Sequence, residues 1–191
     1  NCVDPLVSHK NAHKIEILVV NDGSKDQTAE IARELEQRTL TKNGSIVRLI
    51  DKENGGHGST INAGIREAKG KYFRLLDGDD YFITKNFEKF IDILEGEDSD
   101  IVLTDLVEDY AISATKAFKD YYASIEPGVQ NDLTVMNYKG YGFGEWGPLL
   151  STTTCKTQLL KDAQFAIDEH CFYVDMEYNF IIYSMAKNVT Y

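Results

Sequence analysis

The sequence predicts an α/β domain whose largely parallel sheet is covered by helices on both faces. Three observations predict it: apolar runs alternate with helical stripes, the runs are nearly unbroken as strands buried on both faces require, and two acidic turns stand where runs end. The first run is Ile15 to Val20, followed by the turn Asn21-Asp22-Gly23-Ser24. Ser24 and Gln27 stand in the S-x-x-Q relation of a capping box, just before a stripe made by Thr28, Ile31, Ala32 and Leu35. A second run, Ile46 to Ile50, leads through the glycine-rich stretch Glu53 to Gly58 into a stripe of Ile61, Ile65 and Ala68. The third run, Lys71 to Leu76, ends in Asp77-Gly78-Asp79-Asp80, with Thr84 in place to cap a helix whose stripe is Phe87, Phe90, Ile91 and Leu94. Asp100 to Val107 is a fourth run. From Asp109 to Trp146 the pattern gives way to tyrosine, glycine and isolated polar residues, read as loops and short elements over a site. A last stripe of Tyr178, Ile181, Ile182 and Met185 follows Tyr173-Val174-Asp175, and Asn188 to Tyr191 begins another strand.

Composition narrows the function. The chain has 191 residues, 42% of them hydrophobic, enough for one core, and only three prolines, so residues 1–191 read as a single domain. A formal net charge of −11 argues against a nucleic-acid partner, which would need a basic footprint. Cys2, Cys155 and Cys171 are odd in number and lack CxxC or zinc spacing, so free thiols in a reducing compartment are expected. No apolar run approaches the roughly 20 residues that span a bilayer, and the polar start lacks the centre of a signal peptide. Cytoplasmic placement follows, at the inner face of the membrane if segments outside these residues attach the protein there.

The chemistry concentrates in the acidic turns. Residues two apart on an extended chain share a side, so Asp77 and Asp79 can converge on one ion while Gly78 allows close approach. Three adjacent carboxylates are either a solvated turn or the oxygen-rich, incomplete site that suits Mg²⁺ or Mn²⁺ held partly by substrate phosphates. In an open α/β sheet, ligands sit beyond the carboxyl ends of the strands, so Asp22 and Asp77 to Asp80 should end different strands on one crevice.

Three segments taken together resemble the family 2 glycosyltransferases of the GT-A fold: Ile15-Glu-Ile-Leu-Val-Val-Asn-Asp-Gly-Ser-Lys-Asp-Gln-Thr28, Glu53-Asn-Gly-Gly-His-Gly58 with Asn62-Ala-Gly64, and Gly70-Lys-Tyr-Phe-Arg-Leu-Leu-Asp-Gly-Asp-Asp80. The likeness is densest over residues 15 to 83, resumes at Phe172-Tyr-Val-Asp-Met-Glu177, and at Gly-Gly-His-Gly is closest to a bacterial branch. It implies a Rossmann-related, GT-A-like sheet with a nucleotide-sugar half over about 1–107 and an acceptor half over about 108–191. Nothing before Ile15 matches the strand that opens the family's fold; Asn1 to Val7 looks like the helix after it, so the resemblance implies truncation at both ends.

The resemblance also implies roles. Asp22 would contact the nucleotide, Asn54 and Gly55 would lie beside the donor, and Asp77, Gly78 and Asp79 match the D-x-D motif that holds a divalent metal and the donor's ribose and diphosphate. Asp175 matches the family's catalytic acid position, although Val174 replaces the usual preceding Glu; as general base it would deprotonate the acceptor hydroxyl in an inverting displacement. The implied reaction moves a sugar, UDP-linked in the first instance, to a glycan or lipid-linked acceptor of bacterial surface polysaccharide. Asp80 and Trp146 are candidates for sugar contact. His57 is read as a loop residue, because hard cations prefer oxygen.

Each position also has a plainer reading: Asp22 as a turn former, Gly55, Gly56 and Gly58 as a tight turn, Asp175 as a helix cap. A calcium loop fits Asp77, Asp79 and Glu88 but fails where Phe82 replaces the required glycine. A sugar-phosphate nucleotidyltransferase would need an early phosphate loop that is absent from the sequence. A noncatalytic nucleotide-sugar or carbohydrate-binding relative would keep Asp22 and Asp77 but make Asp175 dispensable.

Overall fold

The computed structural model describes residues 2–42, 44–110, 115–119, 125–133, 149–164 and 166–191. Its strands are β1 (Ile17–Asp22), β2 (Leu40–Thr41), β3 (Gly44–Ser45), β4 (Val47–Lys52), β5 (Tyr72–Arg74), β6 (Ile101–Leu103), β7 (Leu106–Tyr110), β8 (Thr115–Lys119), β9 (Gln130–Asp132), β10 (Thr153–Lys156) and β11 (Asn188–Thr190). The α-helices are α1 (Asp4–Val7), α2 (Thr28–Arg38), α3 (His57–Glu67), α4 (Thr84–Gly96), α5 (Thr157–Asp162) and α6 (Val174–Met185). Every helical stripe read from the sequence forms a helix, and the expected final strand forms as β11.

β1 and β4 pair in parallel from Ile17 with Val47 to Asp22 with Lys52, and α2 and α3 pack on them. Among the described residues they pair only with each other, so Ile17 to Val20 are half-buried where an unbroken apolar run predicts full burial. The remaining core strands form a sheet in the order β5-β10-β6-β11-β9. Its departure from a largely parallel sheet has a simple origin. The unit β5-α4-β6 crosses over and leaves a one-strand slot, and β10, returning from the long excursion after β6, fills it antiparallel to both neighbours. β11 then adds parallel to β6 and β9 antiparallel to β11. The fourth apolar run splits, because β7 lies outside that sheet and pairs antiparallel with β8.

Two clusters hold this together. The larger gathers Ile61, Phe73, Ile101, Leu103, Leu160, Ile167, Tyr178, Ile182 and Val189 between the sheet and the inner faces of α3, α5 and α6. The smaller joins Leu6 of α1 to Phe87 and Ile91 of α4. All three cysteines are free, as expected. Burial pushes the Cys155 thiol up to about 12, in contact with the buried Tyr178 hydroxyl, which makes it an inert core residue.

Three expected caps do not form. Gln27 is the N-cap of α2, without a side-chain bond, and Asp26 Oδ1 accepts from the Thr28 N–H instead of a Ser24–Gln27 box. Ile83 precedes α4, and Thr84 is already helical. Tyr173, in the left-handed region at φ 64°, precedes α6, and Asp175 lies inside the first turn without capping it. In each case the strand or loop leading into the helix sets the entry angle, and local side-chain signals yield to it.

Candidate active site

The acidic turn is anchored from below by a residue that sequence reasoning passed over. Arg74 ends β5 with its guanidinium donating to Thr154 Oγ1 at 3.0 Å, to Thr104 Oγ1 at 2.9 Å and to the Ser151 carbonyl, while its plane lies over the rings of Phe82 and Phe90 at 5.2 and 5.3 Å. It thereby ties the strand before the turn to the residues after it. The signal was a lone arginine between Phe73 and Leu75 in an apolar strand. Leu75 and Leu76 then lead to a turn closed by the Asp80 N–H on the Asp77 carbonyl at 3.0 Å. Asp77, Gly78, Asp79 and Asp80 are all exposed, and a side chain at Gly78 would meet nothing within 4 Å, so space within the protein does not require glycine there. Burial first, then the charges of Asp77 and Asp79, push the Asp80 carboxyl above its usual range against the pull of Arg74. Among the described residues, no three acidic, histidine or cysteine side chains are grouped closely enough to form a complete metal cage.

Asp22 closes β1 and acts as a buckle. Its Oδ1 accepts from Lys52 Nζ at 2.6 Å, the Gly55 N–H at 2.9 Å and Ser59 Oγ at 3.3 Å, its Oδ2 accepts from the Gly56 N–H at 2.9 Å, and its carbonyl accepts from Asn54 Nδ2 at 3.0 Å. The glycine-rich loop is therefore wrapped around the carboxylate, and at the buried Gly55 a side chain would sit 2.6 Å from Ser59 Oγ, so the close approach requires glycine. Oδ1 is filled from inside the protein, which leaves Oδ2 as the oxygen with capacity for a ligand.

Burial alone would raise the Asp22 carboxyl, but the Lys52 ammonium and the Gly55 and Gly56 amides outweigh it and hold it below the usual carboxylate range. A depressed folded value stabilises the protein above the unfolded value and loses that contribution as pH falls through the folded one. Denaturant unfolding should thus show a stability difference between the native sequence and Asp22→Asn of about 2 kcal/mol at pH 7, part of which closes as pH is lowered below about 4. A difference independent of pH between 7 and 3 would show that the carboxylate charge does not hold the loop.

The loop leads directly into α3, whose first residue, His57, brings Nε2 to 3.8 Å from Asp77 Oδ1. His57 and Asp77 line a cleft of about 360 Å³ together with Leu149 to Ser151 and Cys171 to Asp175. The structure thus brings Asp77 and Asp175 to the lining of one cleft. Asp22, Asp79 and Asp80 are not among its walls: Asp22 stands behind the glycine-rich loop, and Asp79 and Asp80 follow Asp77 along the turn. Trp146 lies outside the described residues. Beside Asp175 the surface is unusually apolar, with Phe172, Tyr173, Met176 and Phe180 all exposed.

Comparison with known proteins shows the family and the fold. A family model described as glycosyl transferase family 2 matches residues 1–147, and the chain belongs to that family. Among curated relatives, the uncharacterized glycosyltransferase EpsJ of Bacillus subtilis is 37% identical over 101 residues, covering 53% of this chain and 28% of that protein. The uncharacterized glycosyltransferase RP339 of Rickettsia prowazekii is 44% identical over 89 residues, covering 47% of this chain and 26% of that protein. The matches therefore span about a quarter of these relatives. In fold, the chain is similar to S. aureus TarS 1–349 in complex with UDP-GlcNAc, with a TM-score of 0.72 and 19% identity over 97% of this chain and 48% of that one. The GT-A architecture expected from the sequence is the one observed. No helix among the described residues is long and apolar enough to cross a membrane.

Proposed function

We propose that this chain carries the centre of an inverting, metal-assisted glycosyltransferase that moves a sugar from a UDP-sugar to an acceptor hydroxyl of a bacterial surface glycan or its lipid-linked precursor. The observation that carries this reading is that Asp77 and Asp175, nearly a hundred residues apart in sequence, both line one cleft. An inverting displacement needs a cation-binding group for the leaving diphosphate and a base for the acceptor within reach of one anomeric carbon, and a cleft lined by both carboxylates can hold that carbon between them. The UDP-linked donor is supported by the fold neighbour TarS, whose structures hold UDP-GlcNAc and UDP. Family membership supports glycosyl transfer and the relatives from Bacillus subtilis and Rickettsia prowazekii support a bacterial setting, while the surface-glycan acceptor rests on the sequence resemblance.

Within this reading the first half of the chain holds the donor and the second half presents the acceptor. The donor set fits a cation: Asp77 and Asp79 offer exposed carboxylate oxygens, and Asp80, raised by desolvation and then by the charges of those two neighbours, adds a third carboxyl to the turn. With fewer than three grouped ligands, such an ion would be completed by oxygens of the diphosphate, as Mg²⁺ and Mn²⁺ are where phosphates are bound. When bound, the metal neutralises charge on the departing diphosphate. Gly78 leaves room for the nucleotide to approach the turn, and Asp22 holds the Asn54–Gly55 loop and offers Oδ2 to the nucleotide. Asp175 receives the acceptor's proton. Asp80 shapes the charge of the turn, and Trp146 is kept as a sugar-contact candidate.

The test is thermal stabilisation by a panel of nucleotide sugars with and without Mn²⁺. At a hundredfold excess over Kd a ligand specific to the native state adds about 2.7 kcal/mol, about 5–10 °C for a domain of this size. A UDP-sugar should give that shift only with metal, and release of UDP on incubation then separates an enzyme from a noncatalytic binder. No shift with any nucleotide sugar under either condition would remove the proposal.

A further inference from the structure

Resting on that reading, a question follows about what holds Asp175 against the cleft, since α6 is reached through a segment that is not regular structure. We propose that Asn62, with Gly58 on the same helix face, is a positioning residue for Asp175: its amide grips the backbone of Ile167 at both polar groups and so fixes the segment from 167 to the start of α6.

The contacts are specific. Asn62 Oδ1 accepts from the Ile167 N–H at 2.8 Å, and Asn62 Nδ2 donates to the Ile167 carbonyl at 2.9 Å, with a longer contact to Glu169 Oε1 at 3.4 Å. Both bonds need one orientation of the amide, because the flipped group would face donor with donor and acceptor with acceptor. One side chain thus does for Ile167 what a neighbouring strand would do. The Ile167 side chain is 3% exposed and lies in the main core, so the grip has a rigid base.

Gly58 sets how close the segment comes. A Cβ there would lie 2.0 Å from the Asp168 carbonyl oxygen, 3.0 Å from its carbon and 2.9 Å from Ile167 Cγ2. That is backbone against backbone, which no rotamer change relieves. Two further bonds follow, from the His170 N–H to the Gly55 carbonyl at 2.8 Å and from the Asp168 N–H to Glu177 Oε2 at 2.9 Å.

The segment needs such restraint. His170 and Tyr173 both adopt the left-handed conformation, at φ 57° and 64°, which costs of order 1–2 kcal/mol per residue for side chains of this kind. They persist because the surrounding bonds over-determine them. Between the grip and α6 lie Cys171, Phe172 and Tyr173, which wall the cleft next to Asp175. The glycine-rich loop behind the donor side and the segment bearing the base are therefore one connected body: Asp22 holds Gly55 and Gly56, Gly55 holds His170, and α3 holds Ile167.

The test compares Asn62→Ala, Gly58→Ala, Asp175→Asn and the double variant Asn62→Ala with Asp175→Asn. Gly58→Ala improves the intrinsic helix propensity of α3, so damage from it must come from the displaced segment. Hydrogen exchange is read over residues 166–173, affinity for UDP with Mn²⁺ by calorimetry, and turnover as UDP release from whichever nucleotide sugar the unsubstituted chain uses fastest. The expected result is exchange about tenfold faster or more in that segment with β1 and β4 unchanged, UDP affinity within about twofold, and turnover down about 10²-fold, the scale of a misplacement near 1 Å. In the Asp175→Asn background, Asn62→Ala should add less than about twofold, because the group it positions is gone.

Local exchange that rises while turnover stays normal would overturn the positioning role, as would a full independent loss in the double variant. Exchange that rises uniformly would make Asn62 an ordinary stabilising residue. A normal rate in Asp175→Asn alone sinks instead the assignment of Asp175 as base, and with it any positioning of that base, while local exchange still tells whether the grip exists.

Discussion

Asp175→Asn is expected to lower sugar transfer by about 10²- to 10⁴-fold, the usual contribution of a positioned base, while leaving donor affinity and thermal stability within error of the unsubstituted chain. The first part follows from its place in the lining of the cleft that Asp77 also lines. The second follows from the local geometry of α6: Asp175 sits inside the first turn, Tyr173 is the N-cap, and no side-chain cap is made, so asparagine removes a proton acceptor without removing a cap. Nearby carboxylates are less free to substitute. Glu177 Oε2 accepts from the Asp168 N–H at 2.9 Å, and Glu169 faces Asn62. Single-turnover measurement at saturating donor separates chemistry from product release, and a rate within about threefold of normal there would reject Asp175 as the base. A noncatalytic relative would show no turnover with either residue, so the native chain provides the control.

What was legible in the sequence was what local pattern determines. The apolar periodicity placed α2, α3, α4 and α6, and the runs placed β1, β4 and β5, because the burial that patterns a sequence is the burial that folds it. The acidic turn after β5 was readable for the same reason, whereas Asp175 was singled out by the family resemblance and not by any local pattern. What was not legible depends on partners distant in the chain. β10 enters the sheet because the crossover left a slot, a fact about β5 and β6 that Thr153 to Lys156 do not carry.

Arg74 and Asn62 illustrate the same limit within the site. Arg74 appeared only as a charge in a strand until Thr104, Ser151 and Thr154 surrounded it. Asn62 belonged to a family-like sequence pattern, yet its task became visible only with Ile167 beside it, more than a hundred residues on, at a sequence separation of 105. Asp22 is committed to protein partners that the sequence does not place beside it, Lys52, Gly55, Gly56 and Ser59. It is a turn-end aspartate whose carboxylate folds a loop, and only its second oxygen has capacity left for a ligand.

Asp79→Ala is expected to remove most of the chain's affinity for UDP, tenfold or more, and to abolish the difference between binding with Mn²⁺ and binding with chelator. The argument is one of charge. The described walls of the cleft include Asp77 and Asp175 and contain no lysine or arginine, so a diphosphate would enter a space already negative. Two unit charges 4 Å apart repel by about 1 kcal/mol in water and about 4 kcal/mol at an effective dielectric of 20, and a diphosphate brings at least two charges. Arg74, the cation beneath the turn, is committed to Thr104, Ser151 and Thr154 and stacked on Phe82 and Phe90, so it cannot swing up to meet a phosphate without dismantling that floor. A divalent ion on Asp77 and Asp79 reverses the sign of the field where the phosphates must lie, and the loss of one of its two carboxylates leaves too few protein ligands to hold it. The stability control has a definite sign: Asp79 is exposed and its charge helps push Asp80 upward, so Asp79→Ala should leave unfolding unchanged or slightly harder. Calorimetric titration of UDP into the native chain and into Asp79→Ala, each with Mn²⁺ and with chelator, reads all four affinities. Equal affinity of the native chain with and without metal would end the metal assignment, because the diphosphate would then be held by groups other than this turn.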